Sequence, residues 1–205
     1  MSYVRALRQR CDDAAPTFAT AFLPGTTTGC QMTGRAVEEL WYGVSRLTVP
    51  IPPVREFQAQ YEAAVPRVPL DAMTELVSRK SRWAEMRQLI DRAAPHGFLI
   101  CFRNDVHPVM ALAGDNAACV SYLMGNHIIA ERMFRHDPRV MLYALLHTAI
   151  WEDSDGHGWF TTDQPSTLFA SFRVPEIAEV GVDLDRKLAA LLAYLEVPVP
   201  DGLRT

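Results

Sequence analysis

Residues Cys119–Pro138, CVSYLMGNHIIAERMFRHDP, are the segment around which we expect the rest of the chain to fold. Its first part contains valine and tyrosine among other residues that favour β-strands, and it ends at a sharp turn, Gly125-Asn126. Its second part is typical of a helix, which ends at Asp137-Pro138 because proline cannot continue the helical hydrogen bonding. A strand that turns directly into a helix therefore forms the centre of the chain.

Further strands and helices flank this centre on both sides. Alternating or β-branched runs predict strands at 44–49, 98–103, 117–124, 146–152 and 158–162, the last two joined by a Ser154-Asp155-Gly156 turn. Helical patterns occupy 54–65, 70–94, 165–172 and 175–195. Hairpin strands with helices between and after them predict an α+β fold in which an antiparallel sheet packs against helices in two layers.

The 205 residues are enough for one domain with an extension. We expect an N-terminal extension over 1–42, helical and irregular, because residues 16–31 are rich in proline, glycine and threonine. An α+β domain is expected over 43–199, with a helical insertion at about 66–94 that breaks near Ser81, a candidate cap. Residues 200–205 are expected to form a tail.

Composition excludes several classes of protein. The formal net charge is −4 and no basic run stands alone, so no nucleic-acid partner is expected. No apolar run approaches the roughly 20 residues of a membrane helix, and the N-terminus lacks the apolar segment of a signal peptide. We therefore expect a cytoplasmic protein without a membrane partner, whose four cysteines are thiols.

Two cysteines give a specific expectation about strand register. If the second and third predicted strands pair about a loop centred near residue 110, Cys101 faces Cys119 and Arg103 faces Ala117. The ordinary interpretation is a pair of small buried residues. The four cysteines have no CxxC spacing, which argues against a structural zinc site.

The turn into the central helix holds the most promising candidate residues. Asn126 is a good cap, and His127 falls in the first helical turn, where free backbone N–H groups attract anions. The positive end of the helix dipole favours a neutral imidazole, which can serve as a base, a hydrogen-bond partner, or a metal or haem ligand. Alternatively, His127 only fills a turn position, while Glu131 and Arg135 form a surface ion pair.

Other candidates lie on the neighbouring elements. Arg103, Asp105 and His107 lie at the end of their strand and could reach the ligand region, and Tyr122 is a further candidate ligand-binding residue. Alternatively, Arg103 and Asp105 form a plain surface pair. If His127 binds haem or a metal, the candidate second ligands are Met124, Met133, His107 and Glu131. His147 lies in a strand that is apolar on both sides, so it is expected to be a core histidine. No nucleophile or nucleotide-binding motif is present, and enzymatic activity stays open.

An ordered set of motifs resembles the bacterial domain of unknown function 302 family. The motifs are YLMGNHIIAERMFRHDP, LYALLHTAIWEDSDG, DQPSTLFASF and DLDRKLAALL, with SRLTVPIPPVREFQAQYEAAVP similar to the opening unit of that family. The resemblance covers about 43–196 and implies a compact α+β fold with a curved antiparallel sheet, commonly dimeric, without an established activity. The family turn is usually Gly-Asn-Pro. Here His127 replaces the proline, which suggests a subgroup with its own ligand.

Three functions follow from these residues. The favoured one is the binding of a small molecule in a pocket between sheet and helices near the Gly125-Asn126-His127 turn, with a small anionic ligand as the expected partner. The second is a metal- or haem-binding protein that uses His127. The third is a homodimeric interaction module without a small ligand. The sequence leaves the cofactor unknown.

Overall fold

The computed structural model describes residues 43–204, and the expectations for residues 1–42 lie outside this range. The described part contains five strands: β1 Arg46–Ile51, β2 Leu99–Asp105, β3 Cys119–Gly125, β4 Leu145–Glu152 and β5 Gly158–Asp163. It also contains seven α-helices: α1 Val54–Ala64, α2 Leu70–Ser78, α3 Trp83–Ala93, α4 His107–Met110, α5 His127–Phe134, α6 Pro165–Ala170 and α7 Pro175–Tyr194. Short 3₁₀ turns lie at Ala111–Ala113, Pro138–Leu142 and Asp201–Leu203.

The five strands form one antiparallel sheet in the order β1-β5-β4-β3-β2, and the sheet is not closed. Along β3, Val120, Tyr122 and Met124 are buried, and they alternate with residues that point to the other face. These buried side chains share one core with residues of α1 and α7, including Phe57 and Leu188. The predicted two-layer α+β fold is confirmed.

β1 extends further than its sequence predicts. We expect the strand to end before Pro50, but it continues through Pro50 to Ile51. Proline cannot donate a backbone hydrogen bond, and β1 tolerates it because this strand lies at the edge of the sheet and pairs only with β5.

The predicted register of Cys101 and Cys119 is wrong. Arg103 pairs with Tyr122, not with Ala117, and Cys101 lies at an irregularity of the β2–β3 ladder. Cys119 instead faces a residue of β4. The loop between the two strands contains α4 and the 3₁₀ turn after it, and it is not centred at residue 110. The irregularity between Ile100 and Phe102 then shifts the pairing again. Both thiols are free and partly buried.

The second helix of the insertion begins with a different cap from the predicted one, and the C-terminal segment packs on the domain. α3 begins after Arg82, whose backbone N–H donates to the Glu85 carboxylate at 3.4 Å, so the predicted cap at Ser81 is wrong. Near the C-terminus, Leu203 is buried, and the carbonyl of Gly202 accepts a hydrogen bond from the side chain of Gln164 at 2.7 Å.

Within residues 43–204, no helix combines the length and the apolar character that a membrane span needs.

Candidate functional site

Asn126 caps helix α5, as the sequence predicts. Its Oδ1 accepts hydrogen bonds from the backbone N–H groups of Ile128 at 2.8 Å and Ile129 at 3.4 Å. Its Nδ2 donates to the carbonyl of Gly97 at 3.0 Å, which ties the helix start to the turn before β2. The cap uses two of the N–H groups that a bound anion would need, so the helix start alone offers less than the sequence suggests.

His127 is the first residue of α5, and its side chain is exposed. Partial desolvation by neighbouring protein atoms lowers the pKa of its imidazole, which agrees with the expected neutral ring. One turn further along, Glu131 accepts a hydrogen bond from the Arg135 guanidinium at 2.8 Å. This is the surface ion pair of the alternative interpretation, and exposed pairs of this kind contribute little to stability.

Arg103 and Tyr122 are brought together by Glu62 of α1, which is not among the site residues predicted from the sequence. One Glu62 oxygen accepts hydrogen bonds from the Tyr122 hydroxyl at 2.7 Å, the Arg103 Nε at 2.9 Å and the Gln58 Nε2 at 2.9 Å. Arg103 also lies 3.6 Å from Asp105 through its Nη2. The cluster joins α1 to the second and third strands.

The electrostatics of this cluster favour an ionised carboxylate. Burial opposes ionisation of Glu62, but hydrogen bonds from Gln58, Tyr122 and Arg103 outweigh it and lower its pKa. Burial, followed by the neighbouring carboxylate, raises the pKa of the Tyr122 hydroxyl. The spacing of Gln58 and Glu62 by four residues, beside the apolar stripe of α1, was the available sequence signal.

The other candidate ligands do not gather around His127. Met124 and Met133 are buried in the core. His107 follows β2, and its Nδ1 lies 3.1 Å from the carbonyl of Ala117. Because Leu99 pairs with Gly125, His107 lies at the opposite end of the β2–β3 hairpin from His127, about 20 Å away along the strands.

One group of metal-type side chains occurs among the described residues, in the turn between β4 and β5. It consists of Asp153, Asp155 and His157. Asp153 accepts hydrogen bonds from the backbone N–H groups of the other two residues at 3.0 and 2.9 Å. It also accepts one from the Trp159 indole at 2.7 Å, so its oxygens hold the turn together.

A pocket of about 410 Å³ lies beside the Asn126 cap, between α3, α5 and α7. We call it the interhelical pocket, and it is lined by Asp91, Ala94, Pro95, His96, Gly97, Asn126, Ile128, Ile129, Lys187 and Ala190. It therefore lies near the predicted turn but between helices, and His127 is not in its lining. The ring of His96 contacts that of Tyr194, with centroids 4.1 Å apart.

Lys187 is the cation of this pocket. Its side chain runs along Gly97, where an added Cβ would lie 3.4 Å from Nζ. Gly97 has a φ of +81°, a conformation that favours glycine, and the missing side chain leaves room for the lysine. None of the ion pairs among residues 43–204 involves Lys187, which is half-buried. Lys187 is not among the candidate residues that the sequence predicts.

The cap and the histidine can be separated by two substitutions. Asn126→Ala should lower the free energy of unfolding by about 0.5–2 kcal/mol, because the cap is lost. His127→Pro should change it by less than about 0.5 kcal/mol, since proline is well tolerated at the first helical position. Urea unfolding of both variants measures these changes. A larger loss in His127→Pro than in Asn126→Ala would contradict the assignment of Asn126 as the cap.

The fold and its pocket define a small two-layer α+β protein with a lysine-containing cavity between helices. Residues 76–195 match the family model described as domain of unknown function DUF302, and the chain belongs to this family. The fold is similar to the crystal structure of an uncharacterized conserved protein DUF302 from Bacillus stearothermophilus. The TM-score is 0.50 at 15% identity, over 73% of this chain and 95% of that chain. No curated protein matches the chain.

Proposed function

We propose that this protein binds a small anionic molecule in the interhelical pocket. The observation that carries the proposal is the half-buried side chain of Lys187, which lines this pocket and has no ion-pair partner among the described residues. Removing an ammonium group from water costs free energy unless an anion compensates for it. A carboxylate or phosphate of a ligand would supply that compensation.

The remaining lining restricts the class of ligand. A volume of about 410 Å³ falls at the small end of ligand pockets, which suits a compact metabolite. Ala94, Ile128 and Ala190 offer apolar contact. Asp91 lies in the same lining, so a ligand should present its anionic group to Lys187 and a hydrogen-bond donor to Asp91. Small hydroxy acids, amino acids and sugar phosphates combine these features.

The chain offers a matched control because Lys80 and Lys187 are its only lysines. A panel of hydroxy acids, amino acids and sugar phosphates would be screened by thermal shift against the wild type, Lys187→Met and Lys80→Met. A true ligand should stabilise the wild type and Lys80→Met as RT ln(1 + [L]/Kd), and should stabilise Lys187→Met far less.

Chemical acetylation tests the location directly. The stabilising compound should slow acetylation of Lys187, measured by mass spectrometry, while Lys80 reacts at an unchanged rate and serves as the internal reference. The ligand would bind elsewhere if all three proteins were stabilised equally, or if the compound left the rate of Lys187 acetylation unchanged. A panel without any stabilising member would refute the proposal.

A further inference from the structure

The face of the sheet opposite the core carries three cross-strand rows of side chains. We call it the open face, since its side chains are exposed or half-buried. The first row contains Phe102, Leu123, His147, Asp163 and Arg46. The second contains Asn104, Ser121, Ala149, Thr161 and Thr48. The third contains Cys119, Trp151, Trp159 and Pro50.

The sizes of these residues create a trough. The second row is made of small side chains, and it lies beside the Phe102–Leu123 end of the first row. The trough holds about 480 Å³, and its lining includes residues of all five strands but none of the third row. Strands are spaced by about 4.8 Å, so the trough is on the order of 20 Å long across the sheet.

Some polar groups in the trough make no hydrogen bond to another described residue. Thr161 is already used, because its hydroxyl accepts from the Trp151 indole at 2.9 Å and bonds with Thr48 at 3.1 Å. By contrast, the His147 ring and the Ser121 hydroxyl have no hydrogen-bond partner within residues 43–204. His147 is exposed on this face, so its predicted place in the core is wrong.

A guanidinium closes one end of the trough. Arg46 is 72% exposed and donates through Nε to Asp163 at 3.1 Å. The terminal amino groups of Arg46 make no hydrogen bond to another described residue, so they remain able to hold a carboxylate. At the opposite end, Phe102 is 43% exposed and offers an aromatic surface next to Leu123.

We propose that the trough of the open face is a second binding site, which takes a flat aromatic carboxylate. The small side chains of Ser121 and Ala149 leave a flat floor on which a ring system can lie. Phe102 and Leu123 contact the apolar part of the ligand, and Arg46 and His147 donate to its carboxylate. This site shares no residue with the interhelical pocket, so each proposal can fail without the other.

The test uses 2-naphthoate as the probe and neutral 2-naphthamide as its isostere, with calorimetry on the full chain. The wild type should bind 2-naphthoate at least about tenfold more tightly than the amide, a difference of about 1.4 kcal/mol. Arg46→Ala should abolish this preference. Arg55→Ala should preserve it, because Arg55 is an exposed arginine of α1 outside the trough.

Filling the floor tests the location. Ala149→Phe should abolish binding of both probes. Ser121→Leu, on a different strand, should have the same effect, and it provides the test if Ala149→Phe fails to fold. Binding that survives both substitutions would overturn the proposal, as would the absence of saturable 2-naphthoate binding up to about 1 mM. Sedimentation provides a further check. The wild type could prove to be a dimer that binds neither probe, while Ala149→Phe is a monomer. That result would show that this face is a self-association surface and would refute the ligand site.

Discussion

Truncation of Leu188 to alanine is expected to lower the free energy of unfolding by about 2–5 kcal/mol, one of the two largest effects we expect in this protein. Leu188 is fully buried in the middle of α7, where it belongs to the core shared with the sheet. Alanine would remove apolar contact and leave a cavity that the surrounding helix and strands can only partly fill.

The matched control for Leu188 is Leu142→Ala. Leu142 is 71% exposed in the Pro138–Leu142 turn, so its truncation should change stability by less than about 0.5 kcal/mol. Urea titration with a constant slope would measure both variants. A change below about 0.5 kcal/mol for Leu188→Ala would contradict the packing of α7 against the sheet.

Replacement of Asp185 by alanine should lower the free energy of unfolding by about 2–4 kcal/mol, because buried donors would lose their acceptor. Asp185 is fully buried on α7. Its oxygens accept from the backbone N–H of Ser166 and from Nε2 of Gln164, both at 2.9 Å. Since Gln164 also holds the carbonyl of Gly202, the loss should loosen the Asp201–Leu203 turn as well.

Asp183 provides the comparison on the same helix. Its carboxylate accepts hydrogen bonds from Arg132 at 2.8 Å and from Arg186 at 3.2 Å in a partly exposed position. Asp183→Ala should therefore lower the free energy of unfolding by less than about 1 kcal/mol. Hydrogen exchange would detect faster opening near Leu203 in Asp185→Ala and not in Asp183→Ala. Equal effects of the two substitutions would argue against the buried network.

The sequence predicted most of the elements because their signals are local. The apolar residues of α7 recur every three or four positions, and the structure confirms this helix as Pro175–Tyr194. The cap at Asn126 was equally local. The placement of β1 beside β5 could not be predicted in this way, since Arg46 and Asp163 are 117 residues apart in the chain.

The wrong predictions have physical reasons too. His147 was expected in the core because its strand is apolar on both faces. The apolar residues of the second face, such as Ala149, instead line the trough, and the inward positions belong to Leu146, Thr148 and Ile150. Strand periodicity separates two faces but does not tell which one the helices cover.

The sequence predicted only those parts of the candidate site that depend on residues adjacent in the chain. Asn126 and His127 lie where the turn places them. Glu62 meets Arg103 across 41 residues of sequence, and Lys187 reaches Gly97 from the last helix. Both encounters depend on how helices pack on the sheet, and a single sequence does not contain that information in readable form.

The stacked indoles of the β4–β5 hairpin give the protein an optical signature. The rings of Trp151 and Trp159 lie with centroids 6.2 Å apart and planes inclined by 26°, close enough for their electronic transitions to couple. Coupled chromophores produce paired circular dichroism bands of opposite sign, which isolated tryptophans lack. These bands would report whether this hairpin alone is intact, whatever happens to the rest of the chain, and without any attached dye.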